Sequence, residues 1–368
     1  MDFLRGIAIL LVCLGHHAID LSAGYLSPVV YVWYRLGWTG VDLFFVLSGF
    51  LIGGLLFREI MEFGRLDTRR FIIRRGFKIW PLYAVYLVLA AFSYWQSNGY
   101  DTHRLWVAIG PNLLHVQNYF PTPLQHTWSL AVEEHFYLAL PLLLWALLRW
   151  GNDRRLDRLP VVLGCVMVAC ALLRLPNLGH EFQPYTHGWP THLRIDSLCV
   201  GVLVAYAYHN RLAWLEPIRT RPVMCLLVAA LGLSPLLIWT AHNAPVYTIG
   251  YSVIAWAYAL VLIAVCVGRV GSGIASVPGA AGVVRGVAYI GFYSYPIYLF
   301  HYRLGQMPAK WMLRHWSGSG WETTRWIAAT SINLVTIVLI GVAFGKLAER
   351  PMLALRDRLF PARAKLIP

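Results

Sequence analysis

Apolar residues in this chain run in long unbroken blocks rather than in narrow stripes. Ten such blocks, at residues 3–20, 39–57, 80–96, 129–148, 160–175, 195–210, 223–240, 249–268, 287–304 and 326–345, are separated by polar or basic segments. Most are roughly 17 to 22 residues long, the length at which a helix crosses the hydrocarbon core of a bilayer. A helix that is apolar all round is buried in protein or in lipid. The pattern therefore predicts an all-α, polytopic membrane protein with about ten transmembrane helices. The first block begins almost at Met1 and shows no small-residue cleavage pattern before the next, so it reads as a retained anchor. With no repeat and no low-complexity tract, residues 1–368 read as a single integral-membrane domain with no appended soluble domain.

Composition agrees with that reading. Hydrophobic residues make up 58% of the 368 and charged residues only 13%, against about 25% charged in soluble domains. A net charge of +14 suits nucleic acid, but its placement does not. With a cytoplasmic N-terminus, 23 of the 31 Lys and Arg fall on inner segments, among them Arg5, seven from Arg58 to Lys78 and six from Lys346 to Lys365. This is the positive-inside bias. It places both termini in the cytoplasm and makes the charged partner a lipid bilayer, not nucleic acid. The six cysteines all sit in apolar blocks, without metal-ligand or disulfide spacing.

Ionisable residues inside the blocks carry the candidate chemistry, because a charge in a spanning helix must face a cavity or a partner. Arg5 and His16 of the first block lie eleven residues apart, about three turns and roughly 16 Å along one helix face. The plainer reading is a snorkelling arginine and satisfied histidines. His17, Asp42, Glu133, Glu134, His192, Arg194, Asp196 and His301 share the outer level with His16. Arg5 and the run Arg69 to Lys78 lie at the inner one. Arg70, Arg74 and Lys78 repeat every four residues as one stripe, with Arg75 beside it. That stripe is either ordinary topology or a grip for phosphate through forked hydrogen bonds. Glu133 and Glu134, just after Trp128, are either a helix cap or carboxylates that hold a histidine in one tautomer. Asp42 fits a helix N-terminus as well as it fits a site. Arg194 and Asp196 read as partners, His301 as internally satisfied, and Glu349-Arg350-Pro351 as an ion pair and helix stop. The outer segments 97–128 and 176–194, rich in aromatics, His and Pro, suit an outward cavity and stacking on a sugar face.

Six segments, in order, resemble acyltransferase family 3, the bacterial multispanning O-acyltransferases. They are Arg5-(ten residues)-His16, Gly40-Val41-Asp42-Leu43-Phe44-Phe45-Val46-Leu47-Ser48-Gly49, and the basic run to Tyr83. Trp128-Ser129-Leu130 with Glu133-Glu134 and Phe136-Tyr137, Arg194-Ile195-Asp196-Ser197-Leu198, and Ser294-Tyr295 with Tyr298-Leu299 and His301 complete the set. The resemblance covers essentially the whole chain. It implies an acyl-CoA donor, commonly acetyl-CoA, a hydroxyl-bearing glycan or glycoside acceptor, and a place in the bacterial cytoplasmic (inner) membrane. By position, His16 matches the family's catalytic histidine and Arg5 its paired arginine. Arg70, Arg74, Arg75 and Lys78 then belong to the donor-binding side.

The expected mechanism has His16 as general base on the acceptor hydroxyl, with Glu133 or Glu134 orienting its ring and Asp42 in the same catalytic group. A covalent acyl-histidine is the alternative route. His17, Trp128, His192, Arg194 and His301 are expected at the acceptor; no metal is expected, and self-association is left open. A multispanning transporter of a small anion or a lipid-linked sugar is the other class, although the duplicated halves of many transporters are not found here.

Overall fold

The structure, a computed structural model, describes residues 1–16, 28–150, 156–267, 280–302, 304–316 and 322–361; His17 lies outside them. Every regular element among them is helical. In chain order the α-helices longer than four residues are α1 (Asp2–Gly15), α2 (Pro28–Leu36), α3 (Gly40–Phe63), α4 (Thr68–Ser97), α5 (Thr102–Leu113), α6 (Trp128–Trp150), α7 (Leu159–Arg174) and α8 (Thr191–Asn210). Then follow α9 (Pro222–Leu233), α10 (Tyr251–Leu262), α11 (Ala280–Phe292), α12 (Ser294–Phe300), α13 (Met307–His315), α14 (Glu322–Phe344) and α15 (Arg350–Leu359).

Helix is found at each apolar block, but the elements are not ten equal spans. Among the described residues, six segments are long and apolar enough to cross a membrane: Tyr31–Phe63, Thr68–Ser97, Gln125–Trp150, Leu159–Asn177, Val246–Val267 and Ile327–Leu359. With 14 residues, α1 is about 21 Å long, short of the roughly 30 Å hydrocarbon core. The block at 287–304 is two helices, α11 and α12, parted at Tyr293. The basic run is helical from its start, because the Asp67 carboxylate caps α4 by accepting the Arg70 N–H at 3.0 Å. Asp101 does the same for α5 through the Arg104 N–H, a bond that holds its carboxyl below the usual carboxylate range.

The expected stop at Glu349-Arg350-Pro351 is absent. A π-turn at Gly345–Glu349 carries α14 on into α15, and Pro351 falls in the first turn of α15, where a missing N–H is tolerated. The Arg350 guanidinium lies over the Phe292 and Tyr293 rings, 5.3 and 5.4 Å from their centres.

The chain forms two compact units: Met1–Val41 with Ile274–Met352, and Asp42–Gly273 with Leu353–Pro368. In the smaller one, α1 buries Leu4, Ala8, Ile9, Val12 and Cys13, a one-sided face at helical spacing. A Cβ on Gly6 would strike the Val287 carbonyl of α11, and one on Gly291 would strike the Asp2 carbonyl. The two backbones therefore touch, as small residues allow between membrane helices. Nearby, the Phe300 and Phe344 rings of α12 and α14 stack at 4.0 Å.

In the larger unit, α3 and α8 cross in the same way. A Cβ on Gly49 would run into the Leu198 carbonyl, and one on Gly201 into that of Val46. Replacing Gly201 with Val overfills this crossing, so the thermal unfolding midpoint in detergent should fall, for a loss of about 1–3 kcal/mol or more. An unchanged midpoint would mean that the helices can part without cost.

Candidate active site

His16 closes α1. Its Nδ1 lies 3.0 Å from the Val12 carbonyl, one turn back, and 3.4 Å from Nε2 of His301. His301 is 2% exposed, and its own Nδ1 sits 2.6 Å from the Tyr298 carbonyl. A carbonyl only accepts, so both Nδ1 atoms carry hydrogen. In the neutral rings the lone pairs then fall on the two Nε2 atoms. His301 Nε2 faces the His16 Nδ1–H, and His16 Nε2 has no hydrogen-bond partner among the described residues. Gln306 donates its side-chain amide to the His16 main-chain carbonyl at 2.6 Å, which holds the end of α1. The Tyr302 ring meets the imidazole edge-on, 5.9 Å between centres. Arg5, three turns away, has its guanidinium 3.0 Å from the Asp2 carboxylate.

In the larger unit the polar residues are organised by a segment whose role composition does not reveal. α4 has 30 residues, whereas α5, which packs on it, has only 12. The chain from Leu114 to Thr127 is consequently packed at the level of Tyr83 and Tyr86. Asn112, Gln117, Asn118, Thr122, His126 and Thr127 are all buried there. Thr122 donates to the Asn112 Oδ1 at 2.6 Å, Asn112 donates to the Thr127 hydroxyl at 2.9 Å, and Gln117 donates to the Thr127 carbonyl at 3.0 Å. The Tyr83 hydroxyl donates to the Asn112 carbonyl at 3.2 Å. Irregular backbone away from water is stable only when its polar groups are matched in this way.

Two buried ion pairs stand on α8. Arg194 binds the Asp42 carboxylate of α3 at 2.5 Å, and Arg174 of α7 binds that of Asp196 at 2.6 Å. The expected Arg194–Asp196 partnership is thus replaced by two longer-range pairs, because residues two apart on a helix point to different sides. All five Arg174 N–H groups are used: on the Leu193 carbonyl twice, the Thr248 carbonyl, the Ser252 hydroxyl and Asp196. The Arg194 cation lies 3.9 Å from the centre of the Tyr251 ring and 5.3 Å from that of Trp128. Trp128 stacks on Trp189. His192 is exposed and stacked on Tyr119. The sequence offered no sign of Arg174, which reads as an ordinary charge at a helix end.

The carboxylates of α6 point different ways. Tyr137 donates to Glu133 at 2.8 Å and is itself 2.7 Å from the Ser48 hydroxyl. Trp80 donates to one Glu134 oxygen at 3.1 Å. The basic run also divides. Arg74 binds Asp357 at 3.1 Å and the Phe360 carbonyl, and Arg70 binds the Pro361 carbonyl, so these two face the C-terminal segment. Arg75 instead lies over the Phe71 and Tyr137 rings, level with Glu134. Lys78 is half-buried. No three His, Cys, Asp or Glu among the described residues are grouped as metal ligands.

Comparisons with known proteins bear on these groupings. Residues 1–345 match the family described as an acyltransferase domain. The peptidoglycan O-acetyltransferase OatA of Listeria monocytogenes is 28% identical over 225 residues, 57% of this chain and 36% of that protein. The O-acetyltransferase OatA of Staphylococcus aureus is 26% identical over 327 residues, 82% of this chain and 49% of its own length. The chain thus spans about half the length, or less, of these relatives. No solved structure matches. With His16 and the α4 and α6 motifs inside a match that takes in nearly the whole sequence, the chain belongs to this acyltransferase family.

Proposed function

We propose that the chain is a membrane O-acyltransferase that moves an acyl group, acetyl in the first instance, from acyl-CoA to a hydroxyl of a glycan. The observation that carries this reading is the His16 ring, held through Nδ1 with Nε2 left to act. Nε2 takes the proton of the acceptor hydroxyl as its oxygen attacks the thioester carbonyl. A C–O bond forms, the C–S bond breaks, and the imidazolium returns its proton to the departing coenzyme A thiolate. As the ring gains charge, its Nδ1–H bonds to the Val12 carbonyl and to His301 strengthen, so His301 acts as a positioning residue. Among the expected residues, Arg70, Arg74, Arg75 and Lys78 take the donor's phosphates, Arg5 keeps its expected donor-binding role on α1, and Trp128, His192 and Arg194 belong to the acceptor side.

A glycan acceptor is supported by the relative named for peptidoglycan and by the aromatic character of the loops. Ten spans with cytoplasmic termini in a bacterial cytoplasmic membrane complete the reading, supported by the distribution of Lys and Arg.

Purified full chain, given acetyl-CoA and cell-wall glycan, should release free thiol in step with new acetyl ester. A transporter releases none. Replacing Arg74 with Gln removes a forked, charge-assisted contact worth about 1.5–3 kcal/mol. The KM for acetyl-CoA should therefore rise roughly tenfold or more with kcat little changed; an unaltered KM would remove Arg74 from the donor side.

A further inference from the structure

Within the larger unit a cavity of about 270 Å³ lies between α4 and α6, under the loop that joins α5 to α6. Two of its lining residues hold polar atoms that the protein leaves unmatched. Glu134 is 9% exposed, and while one oxygen accepts from Trp80, Oε1 is buried with no hydrogen-bond partner among the described residues. His115 has a buried Nδ1 in the same condition. Its backbone is also unusual, with φ at +53°, a left-handed conformation that non-glycine residues seldom adopt. The ring is held there by stacking on Tyr83, with centres 5.0 Å apart and planes 27° from parallel. Two unmatched buried polar atoms on the walls of one cavity mark a place where a ligand can complete the structure.

The walls define that ligand. A carboxylate oxygen only accepts, whereas an imidazole nitrogen in its N–H tautomer donates. One group that satisfies both is an alcohol, with an O–H to give and lone pairs to receive. Arg75 also lines the cavity and offsets the charge of Glu134, so the ligand need carry none. Of the remaining titratable neighbours, His135 is turned to the Thr191 hydroxyl at 2.6 Å, and the Tyr137 hydroxyl is engaged by Glu133 and Ser48. The rim is apolar: Trp80, Leu114 and Leu138 line the cavity and remain 48%, 75% and 46% exposed.

We propose that this cavity binds the hydroxyl-bearing head of a neutral amphipathic molecule, an alkyl or lipid-borne glycoside, with Glu134 Oε1 accepting from the hydroxyl and His115 Nδ1 donating to it. Trp80 and the two leucines cover the apolar body. That this molecule is the acyl acceptor rests on the function proposed above; that it binds does not.

The test therefore contains no acyl donor. Full-length protein in lipid nanodiscs is titrated with n-octyl β-D-glucoside below its critical micelle concentration, and with the tetra-O-methyl ether of the same compound. Empty discs serve as the baseline for partitioning. Saturable binding of the glucoside is expected, at least tenfold tighter than that of the ether. Glu134→Gln keeps the shape and an oxygen for Trp80 but loses the charged acceptor. His115→Asn tolerates the left-handed backbone but loses the ring. Each should weaken the glucoside at least tenfold. Equal affinity for the two compounds, or a glucoside affinity unmoved by the variants, overturns the proposal. Should one variant fail to fold, the other and the ether comparison still decide. Because acetyl-CoA turnover is read separately, a negative binding result leaves the O-acyltransferase reading standing.

Discussion

Alanine in place of His16 should abolish acyl transfer while leaving a folded protein. General-base catalysis by a placed imidazole contributes about 10²- to 10⁴-fold. The fold should survive because the contact that fixes this end of the helix, from Gln306, is made to the His16 main-chain carbonyl and not to its ring. The assay is thiol release and acetyl-ester formation by purified protein, with the unfolding midpoint measured in parallel. Full activity would refute the assignment. Loss of activity together with loss of folding would show only that the ring is structural. His301→Gln, which can present an oxygen to the His16 Nδ1–H, should retain far more activity than His301→Ala. Both should keep the KM for acetyl-CoA, since the effect falls on the chemical step.

The largest effect on stability is expected at Arg194. Asp42 is 0% exposed and Arg194 3%, so replacing the arginine with Met strands a carboxylate in the interior. Its remaining bond, from the Ser197 hydroxyl at 3.3 Å, cannot make good the loss. Breaking a buried pair from one side costs about 3–5 kcal/mol, whereas replacing both partners with apolar residues of similar volume is often close to neutral. Arg194→Met should therefore unfold the larger unit at a much lower temperature, and Arg194→Met with Asp42→Leu should recover most of the difference. Failure of the double variant to recover would mean that Asp42 has a use beyond its partner. Lysine is a poor substitute, because the guanidinium also lies over the Tyr251 ring, 3.9 Å from its centre. Activity per folded molecule in the double variant separates the two roles expected of Asp42, in the chemistry or in the architecture.

How much of this was legible in the sequence differs from residue to residue. The apolar blocks marked where helices form, because burying twenty apolar side chains is decided locally, by composition alone. Their edges were less legible. The basic run from Arg69 to Lys78 lies outside the apolar block at 80–96, yet it is the first two turns or more of α4, since Asp67 caps it and nothing in Arg or Lys opposes helix. Likewise Pro351 looks like a stop, and the π-turn before it removes the conflict. Arg5 and His16 could be placed on one face of one helix from their spacing. That His16 meets His301, 285 positions away, could not.

The sequence by itself determined an all-helical chain with several segments suited to a bilayer, a cationic stripe on α4, and a histidine at the end of the first helix. These follow from periodicity and charge, which act over a few turns. Tertiary structure decided the rest: which arginine neutralises which aspartate, that Arg75 shares a cavity wall with Glu134, and that the amide and hydroxyl side chains between Asn112 and Thr127 are folded into the interior. Such choices are settled by which helices touch. A buried charge or amide must find its partner wherever packing puts one, and that distance is not written in the spacing of residues along the chain.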